Sequence, residues 1–321
     1  MDLKQLLKYL LSGLAVAGLS ITGASAEQYP QKTVEIIVGY SAGGGTDVLA
    51  RTVGDFLEKN LAGDESVVVK NMPGAGGQIG FTAVAEAKPD GYTLGTFNLP
   101  AALALTMDRK ADYNAQSFTY LANFVKDPNT IVVSKESGIK NLSELLERAG
   151  TEPGAVTLGL SSLGGNDHFA GILMQKAAGV EFSLVPFKGA ANARVAIMGG
   201  HVTAGTMTLG QTIGFEDNLK VLAVLDVERS AFAPDVPTAR ELGVDVQMGS
   251  YRGLVAPADL PDDIRDTLIA ALRAVNENSE FQKTAADQGN PISFVAGEDF
   301  AALAEQQAAV AREIWENTPW K

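Results

Sequence analysis

Thr33 to Val38 is an apolar run of strand length, and after the turn Ser41-Ala42-Gly43-Gly44-Gly45 the apolar residues Leu49, Val53, Phe56, Leu57 and Leu61 return at helical spacing. The pattern is strand, glycine loop, helix. Ser66 to Lys70, the loop Pro73-Gly74-Ala75-Gly76-Gly77 and Ile79 to Ala87 repeat it, and Pro89-Asp90-Gly91 turns the chain into a strand from Tyr92 to Phe97. A polar stretch around Lys126-Asp127-Pro128-Asn129 then interrupts the series. Beyond it the same grammar restarts with strand Val156 to Leu160, the turn Gly164-Gly165 and a helix that directs Phe169, Ile172, Leu173 and Ala177 inward. Strand Phe182 to Val185, loop Pro186-Phe187-Lys188-Gly189, helix Ala190 to Met198, and strands Val202 to Met207 and Val221 to Leu225 complete what reads as a parallel sheet.

From Pro261 the segments Ile264 to Val275 and Phe300 to Trp315 are helical, with Ala, Glu and Gln on their polar faces. Helices alone build no sheet, so they are expected to pack back on the first half, with Gln247 to Val255 as the returning crossover. At 321 residues the chain exceeds the size at which a single core keeps growing. The expectation is therefore an α/β protein of two lobes, residues 27–125 with 251–321 forming one and 126–250 the other, joined by two crossings that act as a hinge.

Residues 1–26 carry Lys4 and Lys8, an apolar run from Leu10 to Ile21 and the small-residue site Ala24-Ser25-Ala26, which reads as a cleaved secretory signal. The run is about a dozen residues, against ~20 for a membrane span. A periplasmic location follows. The chain has no cysteine, hence neither a disulfide nor the lipid-anchor cysteine of a lipoprotein. A formal net charge of −13 argues against nucleic acid and anionic membranes as partners. An anionic ligand must then be held by local groups.

Two segments match in register, Ser41 to Ala50 and Ser161 to Ala170, sharing Ser, Gly, Gly, Asp and Ala. Each lies between a strand and a helix, where glycines let the backbone approach a ligand and the helix start offers unsatisfied N–H groups. Because ligands of open α/β sheets sit beyond the carboxyl ends of the strands, one such loop per lobe suits a two-ended anion in a central cleft. Gly44, Gly45 and Thr46 are candidate contacts on the first lobe. Asp47 and Asp167 read first as helix caps, with Asp47 kept among the candidates. Gly74-Ala75-Gly76-Gly77-Gln78 and Gly189-Ala190-Ala191-Asn192 resemble each other as second loops, and Lys188 adds a charged donor if it faces the cleft. His168 reads equally as a donor to the ligand and as an ordinary first-turn residue.

The chain resembles the extracytoplasmic solute receptors of tripartite tricarboxylate transporters, the Bug receptors. The carriers run along nearly the whole chain: Tyr29-Pro30, Gly44-Gly45-Thr46-Asp47, Asn71-Met72-Pro73-Gly74-Ala75-Gly76-Gly77, Pro89-Asp90-Gly91-Tyr92-Thr93-Leu94, Pro186-Phe187-Lys188-Gly189, Gly199-Gly200-His201-Val202, Val236-Pro237-Thr238 with Glu241-Leu242-Gly243, and Tyr251-Arg252-Gly253 before Ala256-Pro257. Their order and spacing, rather than any one of them, is specific. The resemblance implies a two-lobed Venus-flytrap fold, of the periplasmic-binding-protein type with two Rossmann-like domains and a central cleft. It implies a carboxylate gripped by main-chain amides, hydroxyls and water, lined by Ser41, Gly45, Thr46, Ala75 and Gly76 on the first lobe and Ser161, Asn166 and His168 on the second. It also implies delivery to a large and a small membrane subunit, by a monomer without cofactor. Thr203 departs from an aspartate that many relatives carry, and Tyr251-Arg252-Gly253 resembles the tricarboxylate-type receptors, which tilts the ligand toward a di- or tricarboxylate.

Three other classes compete. A nucleotide-binding enzyme is disfavoured because the chain lacks G-x-x-x-x-G-K-[ST] and Gly43-Gly44-Gly45 lacks the G-x-G-x-x-G spacing. A secreted hydrolase is disfavoured because Ser161, Ser162 and His168 form no G-x-S-x-G elbow. With only two histidines, a zinc site is not expected. A receptor read by a two-component sensor instead of a transporter stays open.

Overall fold

The computed structural model describes residues 29–320, so the expected signal at 1–26 lies outside the described residues. β1 (Val34–Val38) is flanked by two parallel neighbours, β2 (Val67–Asn71) and β3 (Thr93–Leu99). Between β1 and β2 runs α1 (Gly45–Asn60), which buries Leu49, Val53, Phe56 and Leu57 as its spacing requires. α2 (Gln78–Ala85) follows β2, and α3 (Ala101–Asp108) follows β3. The second half repeats the plan: β5 (Thr157–Leu160) lies parallel between β6 (Ser183–Pro186) and β7 (Ala204–Thr208). α5 (Asn166–Ala178) follows β5 and α6 (Ala190–Met198) follows β6, with α4 (Leu142–Thr151) preceding them. In α5 Phe169 and Ile172 are buried as expected, Leu173 is half-buried and Ala177 is exposed.

One long strand carries the chain from the first half to the second. β4 (Phe118–Ser134) is 17 residues long. Its first part, to Pro128, pairs antiparallel with β9 (Gly249–Pro257), which in turn pairs antiparallel with β3. From Asn129 onward it pairs with β7 and with β8 (Leu219–Val224), both antiparallel. Lys126-Asp127-Pro128-Asn129 is thus strand, not an interruption, and the second sheet is mixed, not parallel throughout. The physical reason is that a strand passing from one sheet to the other enters the second against the direction of β5. Pro128, which cannot donate a ladder bond, sits where the pairing partner changes from Gly249 to Thr208. The return passes at Met248, whose carbonyl accepts from Asn129 N–H at 2.7 Å.

α7 (Asp262–Glu277) and α8 (Ser279–Asp287) pack on the first half, where Leu268, Leu272, Val275 and Phe281 join the core around Ile36 and Val53. α9 (Glu298–Asn317) comes after β10 (Ile292–Ala296), which pairs with β4. Its 20 residues span roughly 30 Å, and it serves both halves. Phe300 and Ala304 enter the aromatic core of Phe81, Phe97 and Phe118. Ala311, Ile314 and, beyond the helix, Trp320 enter the second-half core with Phe169 and Met174. The final turns of α9 therefore depart from the expected packing on the first half alone, because Trp320 is a large apolar side chain whose ring finds Phe169 at 5.0 Å and Trp315 at 4.8 Å.

Trp320 is only 4% exposed, so Trp320→Ala should lower stability by about 3 kcal/mol, the lower end for such a truncation because the tail can detach. Urea unfolding checks this. A change close to zero would mean that the tail does not hold the second half.

Candidate ligand-binding site

The first glycine loop is built by Gly43, whose φ of +80° a side chain would oppose. Gly44 follows in extended conformation as the residue before α1. The amide of Gly43 donates to Asp47 Oδ2 at 2.8 Å. Arg51 Nε and Nη2 fork onto the same carboxylate at 3.1 and 2.9 Å, and Asn71 Nδ2 donates to Oδ1 at 2.8 Å. Burial alone would raise the Asp47 pKa, but the bonds from Arg51, Gly43 and Asn71 outweigh it and hold the carboxyl below its usual range. Asp47 is neither cap nor open to a ligand: it is buried and committed to the shape of the loop. The amides of Gly45, Thr46 and Asp47 precede the first intrahelical bond, from Val48 N–H to Gly44 O, and have no acceptor within the helix. Ser41 to Gly45 are exposed beside them.

In the second loop Gly164 takes the positive φ, +72°, Gly165 is the extended residue before α5, and Asn166 opens the helix. Gly164 N–H donates to His168 Nδ1 at 3.2 Å. The structural equivalents are thus Gly43 with Gly164, Gly45 with Asn166, and Asp47 with His168. This slides by one residue the register in which Ser41 to Ala50 matches Ser161 to Ala170. His168 does in one loop what Asp47 does in the other, since each accepts the loop amide four residues before it. To accept, Nδ1 must be unprotonated, and burial against Phe169 and Trp320 pushes the imidazole down to about 4. His168 is therefore neutral at pH 7 and turns Nδ1 to its own loop.

Asp167, freed from the loop amide, joins the crossing strand instead. Asn129 Nδ2 donates to Asp167 Oδ1 at 2.8 Å, Asn166 Nδ2 donates to Asp167 Oδ1 at 2.8 Å and to Asn129 Oδ1 at 2.9 Å, and Ser161 N–H approaches Oδ2 at 3.3 Å. Burial pushes the Asp167 carboxyl up and the nearby Asp127 adds to this, against the bonds from Ser161 and Asn129. It too is no cap, because the residue before α5 is Gly165.

The second loops stand at the same ends of the neighbouring strands. Gly74, Ala75, Gly76 and Gly77 have φ of 142°, 49°, 73° and 106°, so Ala75 holds a left-handed conformation that glycine would take more readily. Ala75 and Gly76 are exposed. In the second half Gly189 N–H donates to Ser161 O at 2.9 Å, tying the Lys188-Gly189 turn to the Ser161 loop, and Lys188 is exposed. Thr203, by contrast, pairs with Thr157 at 3.2 Å at the start of β5 and so lies at the opposite end of the sheet from the loops.

Between the loops the crossing strands carry a buried polar cluster that the sequence reading placed in a linker or left without a role. Arg252 of β9 donates from Nη2 to Asp127 Oδ2 at 2.9 Å and from Nη1 to Asn290 Oδ1 at 3.1 Å. Asp127 Oδ1 accepts from Gly210 N–H of the second half at 3.0 Å. Asn98 Nδ2 donates to the Thr46 hydroxyl at 2.8 Å. The available signal was polar residues in strand-length apolar context, Asn98 and Arg252 facing each other in the β3–β9 ladder. A cavity of about 10 Å³ beside Thr46, Thr96 and Arg252 has room for about one water. A larger hollow of about 520 Å³, lined by Leu142, Leu146, Val180 and Leu242, shares no residue with the loops.

Comparison with known proteins gives the chain its relatives. BugT of Bordetella pertussis is 33% identical over 248 residues, covering 76% of this chain and 75% of its own. The periplasmic binding protein BugD superposes with a TM-score of 0.77 at 29% identity, over 90% of this chain and 98% of that one. MatC from Rhodopseudomonas palustris, solved with bound malate, gives 0.76 at 28% identity, over 89% and 99%. An R. palustris protein solved with adipate gives 0.80 at 25% identity, over 90% and 98%. These are solute-binding proteins and not enzymes, and their fold is the two-lobed, flytrap-like one described above. The family description "Tripartite tricarboxylate transporter family receptor" matches residues 49–318, and the chain belongs to that family of periplasmic solute-binding receptors.

Proposed function

We propose that the protein captures a small di- or tricarboxylate between its lobes and passes it to the large and small membrane subunits of a tripartite tricarboxylate transporter, after export directed by residues 1–26. The observation that carries this reading is the pair of glycine loops at the starts of α1 and α5, one from each half, the first exposed and the second half-buried around Ser161 and Asn166, each with helix-terminal amides that no helical carbonyl accepts in a protein of net charge −13. That MatC binds malate and another relative binds adipate supports the ligand class. Ser41, Gly44, Gly45, Thr46, Ala75 and Gly76 form the first face, and Ser161, Asn166 and Lys188 the second. Asp47 and His168 hold the loops in shape behind them.

We take the expected division, with 126–250 as the second lobe and the chain before 126 and from 251 onward as the first, except that the last turns of α9 and Trp320 pack on the second lobe; the sheet changes at Pro128 to Asn129, and the chain returns at Met248 to Gly249. β4 and β9 serve as the hinge, and a ligand with a carboxylate at each end favours closure because only the closed form satisfies both loops.

Malate, adipate or citrate at ~100 times its dissociation constant should stabilise the fold by ~2.7 kcal/mol, seen as a raised melting temperature. A panel in which a neutral sugar stabilises and no carboxylate does would remove this reading. In Asn166→Ala the amide that links the second loop to Asn129 is lost, and calorimetry should find affinity reduced roughly ten-fold or more. Unchanged affinity would take the α5 start out of the site.

A further inference from the structure

Asp47 neutralises Arg51 at the first turn of α1, but a second cation lies against the same turn. A β-carbon placed on Gly45 would stand 3.5 Å from Arg252 Nη1 and 3.7 Å from Cζ. Residue 45 has none, so no side chain from that position covers the guanidinium. Two of its five N–H donors are used, on Asn290 and Asp127, and 7% of the residue's surface stays exposed. Its counter-ion is shared, since Asp127 also takes the Gly210 amide. Around it lie two asparagine amides, each more than nine-tenths buried and each with one end unpartnered: Asn98, at Thr46 in the first turn of α1, and Asn290. Whichever way an amide is turned, one polar end lacks a partner. A charge with spare donors thus lies against Gly45 at a helix start, bonded to one of these amides and facing the other across the β3–β9 ladder.

We propose that Arg252 is the cationic anchor for one carboxylate of the ligand, acting through the gap that Gly45 leaves at the start of α1; this rests on the receptor function proposed above. The amides of Gly45 and Thr46 orient the carboxylate, and Arg252 supplies the charge that a protein of net −13 otherwise lacks there. The ligand shares Arg252 with Asp127. Because Asp127 stands on the crossing strand and holds Gly210 of the other lobe, the arriving charge acts at the hinge as well as in the site. Gly45→Ala tests the gap without disturbing the fold, since its methyl would make an ordinary van der Waals contact with Arg252.

The experiment is calorimetry with whichever of malate, adipate and citrate binds the wild-type protein most tightly, and with its monomethyl ester. The variants are R252Q, R252K, G45A and the double variant D127N/R252Q, which leaves no buried charge unpaired. The diacid should bind R252Q and the double variant roughly ten- to a hundred-fold more weakly, with R252K recovering part of the loss. G45A should also weaken the diacid. The ratio of diacid to monoester affinity should shrink in D127N/R252Q, where no unpaired carboxylate is left to repel the diacid, a change that a merely structural role would not produce. The proposal is overturned if the double variant binds the diacid within about three-fold of wild type, or if diacid and monoester weaken by the same factor. A wild-type protein that binds no carboxylate overturns the receptor reading itself, and this inference with it.

Discussion

The structure depends on keeping a few backbone amides unsatisfied at the starts of α1 and α5. An acidic protein gains nothing from its overall field when it binds an anion, so attraction must come from groups within hydrogen-bond reach. Helix-terminal amides meet that need only if the loop before them bends away without competing for them. In each lobe one glycine with positive φ makes the bend, and one buried acceptor four residues later fixes its amide. Asp47 does this as a carboxylate kept ionised by Arg51 and Asn71. His168 does it as a neutral imidazole kept unprotonated by burial.

That difference sets the wiring of the two lobes. With Asp47 holding its own loop, the first lobe reaches the crossing strands through Thr46 to Asn98, which faces Arg252 in the β3–β9 ladder. With His168 holding the second loop, Asp167 is released to bond Asn129 on β4. Both helix starts are thus connected to residues of the crossing strands, spaced closely along β4 at Asp127 and Asn129. Trp320 adds a third link, since it packs against the back of Gly164 and His168 from a helix that begins in the core of the first lobe.

Much of the fold was legible because strand–glycine–helix periodicity is a local signal: α6 was read at Ala190 to Met198, the bounds it has. The four loops at the carboxyl ends of β1, β2, β5 and β6 were legible for the same reason. What the periodicity concealed was long-range. A strand that changes sheets reads as a polar interruption, because Asp127 and Asn129 are buried by partners more than thirty residues away. The match between Ser41 to Ala50 and Ser161 to Ala170 pointed to the right loops yet misaligned them by one residue, because an identical aspartate outweighed the position of the bending glycine. Only the hydrogen-bond partners distinguish Asp47 and His168 as equivalent. Arg252 was visible as a motif residue, but its place beside Gly45 arises from the pairing of β9 with β3 and β4.

The central claim is that one ligand is held by both helix starts at once. Following the amide resonances of Gly45, Thr46, Asn166 and Asp167 during titration with malate or adipate tests it most directly. The account predicts that amides of both loops shift together and yield one dissociation constant. Shifts confined to one loop, or two sets that titrate with different constants, would contradict it.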